Sequence, residues 1–127
     1  MDINRLISEK YTSSFMNNSK WVKLMDNLTE NIGEIFLNYK LIYTDDIIST
    51  SFIISDFKPF FDEPTLYKEI EWIEFTKHFA TTANQRSSRR ITKTRTQNLD
   101  LIVDIIENTG TFAIEKSENK IRLYAYR

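Results

Sequence analysis

At Gly33 the hydrophobic period of this chain changes, and that change limits the folds open to it. Before it, Trp21, Leu24, Met25, Leu28 and Ile32 recur at spacings of three and four, the stripe of an amphipathic helix. After it, Ile35, Leu37, Tyr39, Leu41 and Tyr43 occupy alternate positions, the two-residue period of a strand. A glycine suits the junction, because without a Cβ it enters the left-handed conformation that ends many helices. The pattern predicts a helix running directly into a sheet.

The other segments extend that reading. Ile3, Leu6, Ile7, Tyr11 and Phe15 predict a first helix over residues 2 to 13, with Asp2 near its positive end. Asn18 or Ser19 is the expected N-cap of the second helix. Asp45 and Asp46 mark a turn, and "IISTSFIISDF" reads as a second strand that pairs back on the first. "FKPFFDEPT", Phe57 to Thr65, contains both prolines and predicts a loop or edge segment. "KEIEWIEF" fits a helix or a strand; its β-branched and aromatic content favours a strand. Ala83 to Gln97, "ANQRSSRRITKTRTQ", predicts a solvated loop leading to a helix from Gln97 or Asn98 to Gly110. The last residues read as a hairpin about Ser117 to Asn119, with Ile121, Leu123 and Ala125 on one face. The order ααβββαββ, without strand–helix alternation, predicts an α+β domain spanning 1–127. It would hold three helices and a mostly antiparallel sheet of about five strands.

Few residues suggest chemistry. The chain has no cysteine and one histidine, His78, so no thiolate site, disulfide or His-pair metal site can be drawn. Two glycines leave no Gly-rich phosphate cradle. Asp45 with Asp46, and Asp62 with Glu63, could share acid and base roles, but adjacent acids in turns are usually solvated. The expectation is a non-enzymatic protein with no cofactor or metal. No apolar run approaches the roughly 20 residues that cross a bilayer, and the N-terminus lacks a signal-peptide layout. A cytoplasmic location without membrane association is expected.

Charge is more informative. A formal net charge of -1 hides an acidic middle and a basic segment behind it. From Asp45 to Glu74 eight carboxylates face two lysines; from Lys77 to Gln97 there are six cations and no acid. The basic segment could neutralise the acidic strands, or bind nucleic acid through Arg86, Arg89, Arg90, Lys93 and Arg95. The second option lacks a stacking platform, since no aromatic lies between Phe79 and Phe112. The acidic stretch, interleaved with Phe57, Phe60, Phe61, Tyr67 and Trp72, could instead meet a basic protein partner. The opposing reading makes these aromatics core and the acids their solvated faces. The residues singled out for a partner interface are Asp45, Asp46, Asp56, Asp62, Glu63, Glu69, Glu71, Arg86, Arg89 and Arg90.

"NNSKWVKL", "KEIEWIEF" and "IRLYAYR" together resemble a family of small uncharacterised bacterial cytoplasmic proteins. Size, Asn/Ile-rich composition and the lack of catalytic signals also resemble immunity proteins of contact-dependent growth inhibition systems. That resemblance implies tight, stoichiometric binding of a cognate toxin domain, often a nuclease. Exposed carboxylates would then face an electropositive cleft. The near-neutral total charge leaves a second arrangement open, in which the basic segment meets an acidic toxin surface. A small nucleic-acid-binding protein, or an accessory interaction module, is the alternative function.

Overall fold

The computed structural model describes residues 2–52, 60–62, 65–84 and 90–127, with backbone alone at 60–62, 80–84 and 90–93. Helix α1 spans Ile3–Lys10, where Asp2 accepts from the backbone N–H of Arg5. It is shorter than its apolar stripe predicts. Tyr11 turns extended, and Phe15 lies outside the helix with its N–H bonded to the Ala125 carbonyl. Helix α2 spans Asn18–Ile32; its cap is Asn17, one residue earlier than expected, whose side chain accepts from Lys20 N at 2.8 Å. Gly33 ends it with a φ of +90°. Helix α3, Leu99–Thr109, is capped by Asn98 and closes at Gly110.

The sheet has the order β2-β1-β5-β9-β8 and is antiparallel throughout. Its strands are β1 (Ile35–Leu41), β2 (Ile47–Phe52), β5 (Ile70–Thr76), β8 (Ala113–Lys116) and β9 (Lys120–Tyr124). "KEIEWIEF" is therefore mostly strand, entered through a 3-10 turn at Tyr67–Glu69. Two shorter ladders lie apart from this sheet. Strands β3 (Phe60–Asp62) and β4 (Thr65–Leu66) pair within the segment expected to be loop or edge.

The larger departure is the basic stretch, expected as a loop. Residues His78–Asn84 (β6) and Arg90–Thr96 (β7) form a seven-pair antiparallel hairpin. Thr81, Thr82, Ile91, Thr92, Thr94 and Thr96 explain it: β-branched residues favour extended backbone even where few apolar groups are available.

One face of the sheet carries the core. Tyr39, Ile73 and Leu123 align across β1, β5 and β9 and pack with Trp21, Leu24, Leu28, Ile102 and Ile106 from α2 and α3. Burying each such side chain stabilises the fold by about 1.5–3 kcal/mol. On the opposite face a polar row, Ser49, Asn38, Glu74, Arg122 and Glu115, crosses all five strands. Arg122 donates to Glu74 at 2.7 Å and lies over the Trp72 ring at 3.9 Å. Trp72 is thus buried, as a core reading expects, but on the face away from the helices.

Candidate protein interface

β1 leaves the sheet at Leu41 and turns through Ile42–Asp46 before β2 begins. The turn is held from below: Ile42 N–H donates to the Glu69 carbonyl at 2.8 Å, and Lys10 Nζ donates to the Ile42 carbonyl at 2.8 Å. Thr44 Oγ1 accepts from Asp46 N–H at 3.1 Å, a local hydroxyl turn that fixes the two adjacent aspartates. Tyr43 is 42% exposed and Ile47 60%, while Asp45 and Asp46 are exposed between them. The Tyr43 hydroxyl donates to Glu69 Oε1 at 3.0 Å, and burial followed by this carboxylate raises its pKa. The other Glu69 oxygen accepts from Leu66 N–H at 2.6 Å. A cleft of about 430 Å³, lined by Leu6, Lys10, Ile42, Tyr43, Thr44 and Asp45, opens beside the ring.

Of the acids singled out from sequence, Asp45 and Asp46 thus lie exposed between Tyr43 and Ile47, and Glu69 holds the Tyr43 hydroxyl. An aromatic anchor with a charged rim is the chemistry of a protein-binding hot spot. Sequence reasoning missed Tyr43 and Ile47. The alternation that marks Tyr43 as a strand residue also suggests burial, whereas the strand ends two residues before it.

Glu71 has a different role. It sits where the β1–β5 register shifts between Lys40 and Leu41. Its carboxylate accepts from the Tyr11 hydroxyl and pairs with Lys40 at 3.1 Å and Lys10 at 3.7 Å. Burial alone would raise its pKa; the bonds from Tyr11 and Lys40 and the nearby Lys10 charge outweigh this and lower it. Glu74, 7% exposed, is likewise consumed within the molecule by Arg122 and by Lys120 at 3.9 Å. These two acids are not the solvated faces that the charge pattern suggests.

Asp56, Glu63, Arg86 and Arg89 lie outside the described residues, and Asp62 and Arg90 are placed by backbone only, at the end of β3 and the start of β7. Arg95 pairs with Glu34 at 3.5 Å and lies over Phe36, on which Phe79 stacks with centroids 3.8 Å apart. The base of the basic hairpin is thus fixed to β1, and its described ion pair lies outside the acidic run. His78 is exposed at the start of β6 and, with Phe36, Asn38, Ser49 and Ser51, lines a second cleft of about 500 Å³. Among the described residues no three His, Cys, Asp or Glu side chains are close enough to hold a metal ion. None of the described helices is long and apolar enough to cross a membrane.

A profile of a family of unknown function, DUF6678, matches residues 3–127. The chain belongs to that family. No curated protein and no solved structure matches this DUF6678 chain.

Proposed function

We propose that this chain is a non-enzymatic immunity protein of the bacterial cytoplasm. In this reading it binds a cognate toxin domain of the nuclease class in a stoichiometric complex and blocks it. The observation that carries the reading is the turn where exposed Tyr43 and Ile47 flank Asp45 and Asp46. The resemblance to immunity proteins of contact-dependent growth inhibition supports it from the sequence side. A nuclease needs an electropositive cleft for a polyanion, and exposed carboxylates beside an aromatic anchor complement such a cleft. The test is co-expression with the C-terminal domain of whatever large secreted protein the immediately upstream reading frame encodes; the lack of such a frame also counts against the reading. Sustained growth and co-purification are expected; growth arrest with no complex overturns the reading.

A second reading, nucleic-acid binding, draws support from the pairing of β6 with β7. A two-stranded ribbon can enter a major groove, and this one belongs to a segment with six cations and no acid. It predicts retention on a polyanion column that weakens steeply with salt and is lost when Arg86, Arg89, Arg90, Lys93 and Arg95 are neutralised. Passage through the column without retention overturns it.

A further inference from the structure

The cleft beside Tyr43 is shared by two elements: α1 contributes Leu6 and Lys10, and the turn after β1 contributes Ile42, Tyr43, Thr44 and Asp45. Most of its polar groups are engaged within the molecule. Lys10 Nζ donates to the Ile42 carbonyl and lies 3.7 Å from Glu71, Thr44 Oγ1 accepts from Asp46 N–H, and the Tyr43 hydroxyl donates to Glu69. The Asp45 carboxylate is the exception. It is exposed, and among the described residues it has no ion pair and no hydrogen bond. The cations nearby do not offset it, because Lys10 and Lys40 both pair with Glu71.

An aliphatic wall, an exposed ring and an unpaired carboxylate in one cleft select a particular side chain. Leu6, half-buried, suits a hydrocarbon stem; the face of Tyr43 attracts a cation; Asp45 accepts hydrogen bonds from one. A lysine ammonium supplies the charge but is compact and strongly hydrated. A guanidinium is planar and weakly hydrated, stacks on aromatic faces and bonds a carboxylate as a fork. We propose that this cleft takes an arginine side chain of the protein partner, its methylenes against Leu6 and its guanidinium over the Tyr43 ring and paired with Asp45. The proposal rests on the reading of this turn as the toxin-binding surface and names what is bound there: one arginine of the electropositive cleft. Lys10 does not repel it as a free cation would, since Glu71 balances its charge. Glu69 fixes the Tyr43 ring before the partner arrives, which lowers the ordering cost of binding. The pair with Asp45 stays at the open rim, where it mainly speeds association, while the ring supplies the hold.

Nuclear magnetic resonance of the full chain tests it with short blocked peptides in which glycines flank arginine, lysine or citrulline, the uncharged shape-match of arginine. The arginine peptide is expected to give saturable shifts confined to the Tyr43 ring, the Thr44 and Asp45 amides and the Leu6 methyls. The lysine peptide should bind several-fold more weakly, and the citrulline peptide about tenfold more weakly. Asp45→Asn should weaken the arginine peptide a few-fold, and Tyr43→Leu should abolish saturation. Both replace exposed residues, so circular dichroism should be unchanged. Equal binding of citrulline would show an apolar groove only, equal binding of lysine a general cation site, and shifts that never saturate no site; each overturns the proposal. A toxin domain that is blocked by a chain giving no arginine response overturns this proposal alone. An arginine response without any toxin complex overturns the toxin reading and leaves the arginine site.

Discussion

The hydroxyl of Tyr11, just beyond α1, donates to the carboxylate of Glu71, at the irregular point of the central β1–β5 pairing. This bond joins the N-terminal helix to the sheet at a place that Lys40, Lys10 and the stacked ring of Tyr126 also reach. α1 has no fully buried residue; Ile3, Leu6 and Ile7 pack half-buried against the core, and the Tyr11 bond adds a polar tie to that apolar contact. Tyr11→Phe removes one hydrogen bond to a charged group and should cost about 1.5–3 kcal/mol. Chemical denaturation measures it; a shift indistinguishable from zero contradicts the role assigned to the bond.

Glu71 also gives the chain a pH dependence with a definite sign. Its folded pKa lies below its ordinary value of 4.5, so its contribution is complete above that pH and is lost as pH falls through the lowered value. Glu71→Gln should be less stable than wild type at neutral pH, and its stability should fall less steeply over the same acid range. Denaturant midpoints against pH provide the comparison. Parallel curves for the two proteins would show that Glu71 does not supply the acid limb.

Gly33 ends α2 with a φ of +90°, and a Cβ placed there would meet no atom within 4 Å. Gly33→Ala should therefore cost roughly 1–2 kcal/mol through backbone conformation alone. In a crystal structure of the variant the neighbouring side chains are expected in place, since space is not the constraint.

At the turn, anchor and rim should separate kinetically. Tyr43→Ala should weaken toxin binding by about 2 kcal/mol or more, mostly through faster dissociation. Asp45→Asn with Asp46→Asn should mainly slow association and flatten its salt dependence. The aspartate pair is exposed, so its thermal midpoint should barely move. Surface plasmon resonance at two ionic strengths separates these effects.

How far these features were legible depends on how local their causes are. The helix stripes, the Gly33 and Gly110 stops and the terminal hairpin depend on residues a few positions apart, and the period of the chain displays them. Asn17 in place of Asn18 or Ser19 as cap, and a first helix that ends at Lys10 where the stripe predicts residue 13, are boundary effects; beyond Lys10 the chain pairs with the C-terminus, as in the Phe15 bond to Ala125. The β6–β7 hairpin was hidden because charge and polarity suggest solvation, while its alternating Thr residues favour extended backbone. The site was partly visible: Asp45, Asp46 and Glu69 stand out by charge. Their meeting at Tyr43 requires the Ile42 bond to Glu69, which joins the turn after β1 to the 3-10 turn before β5. The internal use of Glu71 was illegible for the same reason, since Tyr11 is sixty positions away.

The most direct measurement of the proposed function is a calorimetric titration of the purified chain with the candidate toxin domain, the C-terminal domain of a large secreted protein if one is encoded immediately upstream. The account predicts saturation at one toxin domain per chain, with affinity strongly reduced in Tyr43→Ala and loss of toxin activity in parallel with binding. No heat of binding, together with full toxin activity in the presence of excess chain, would contradict it.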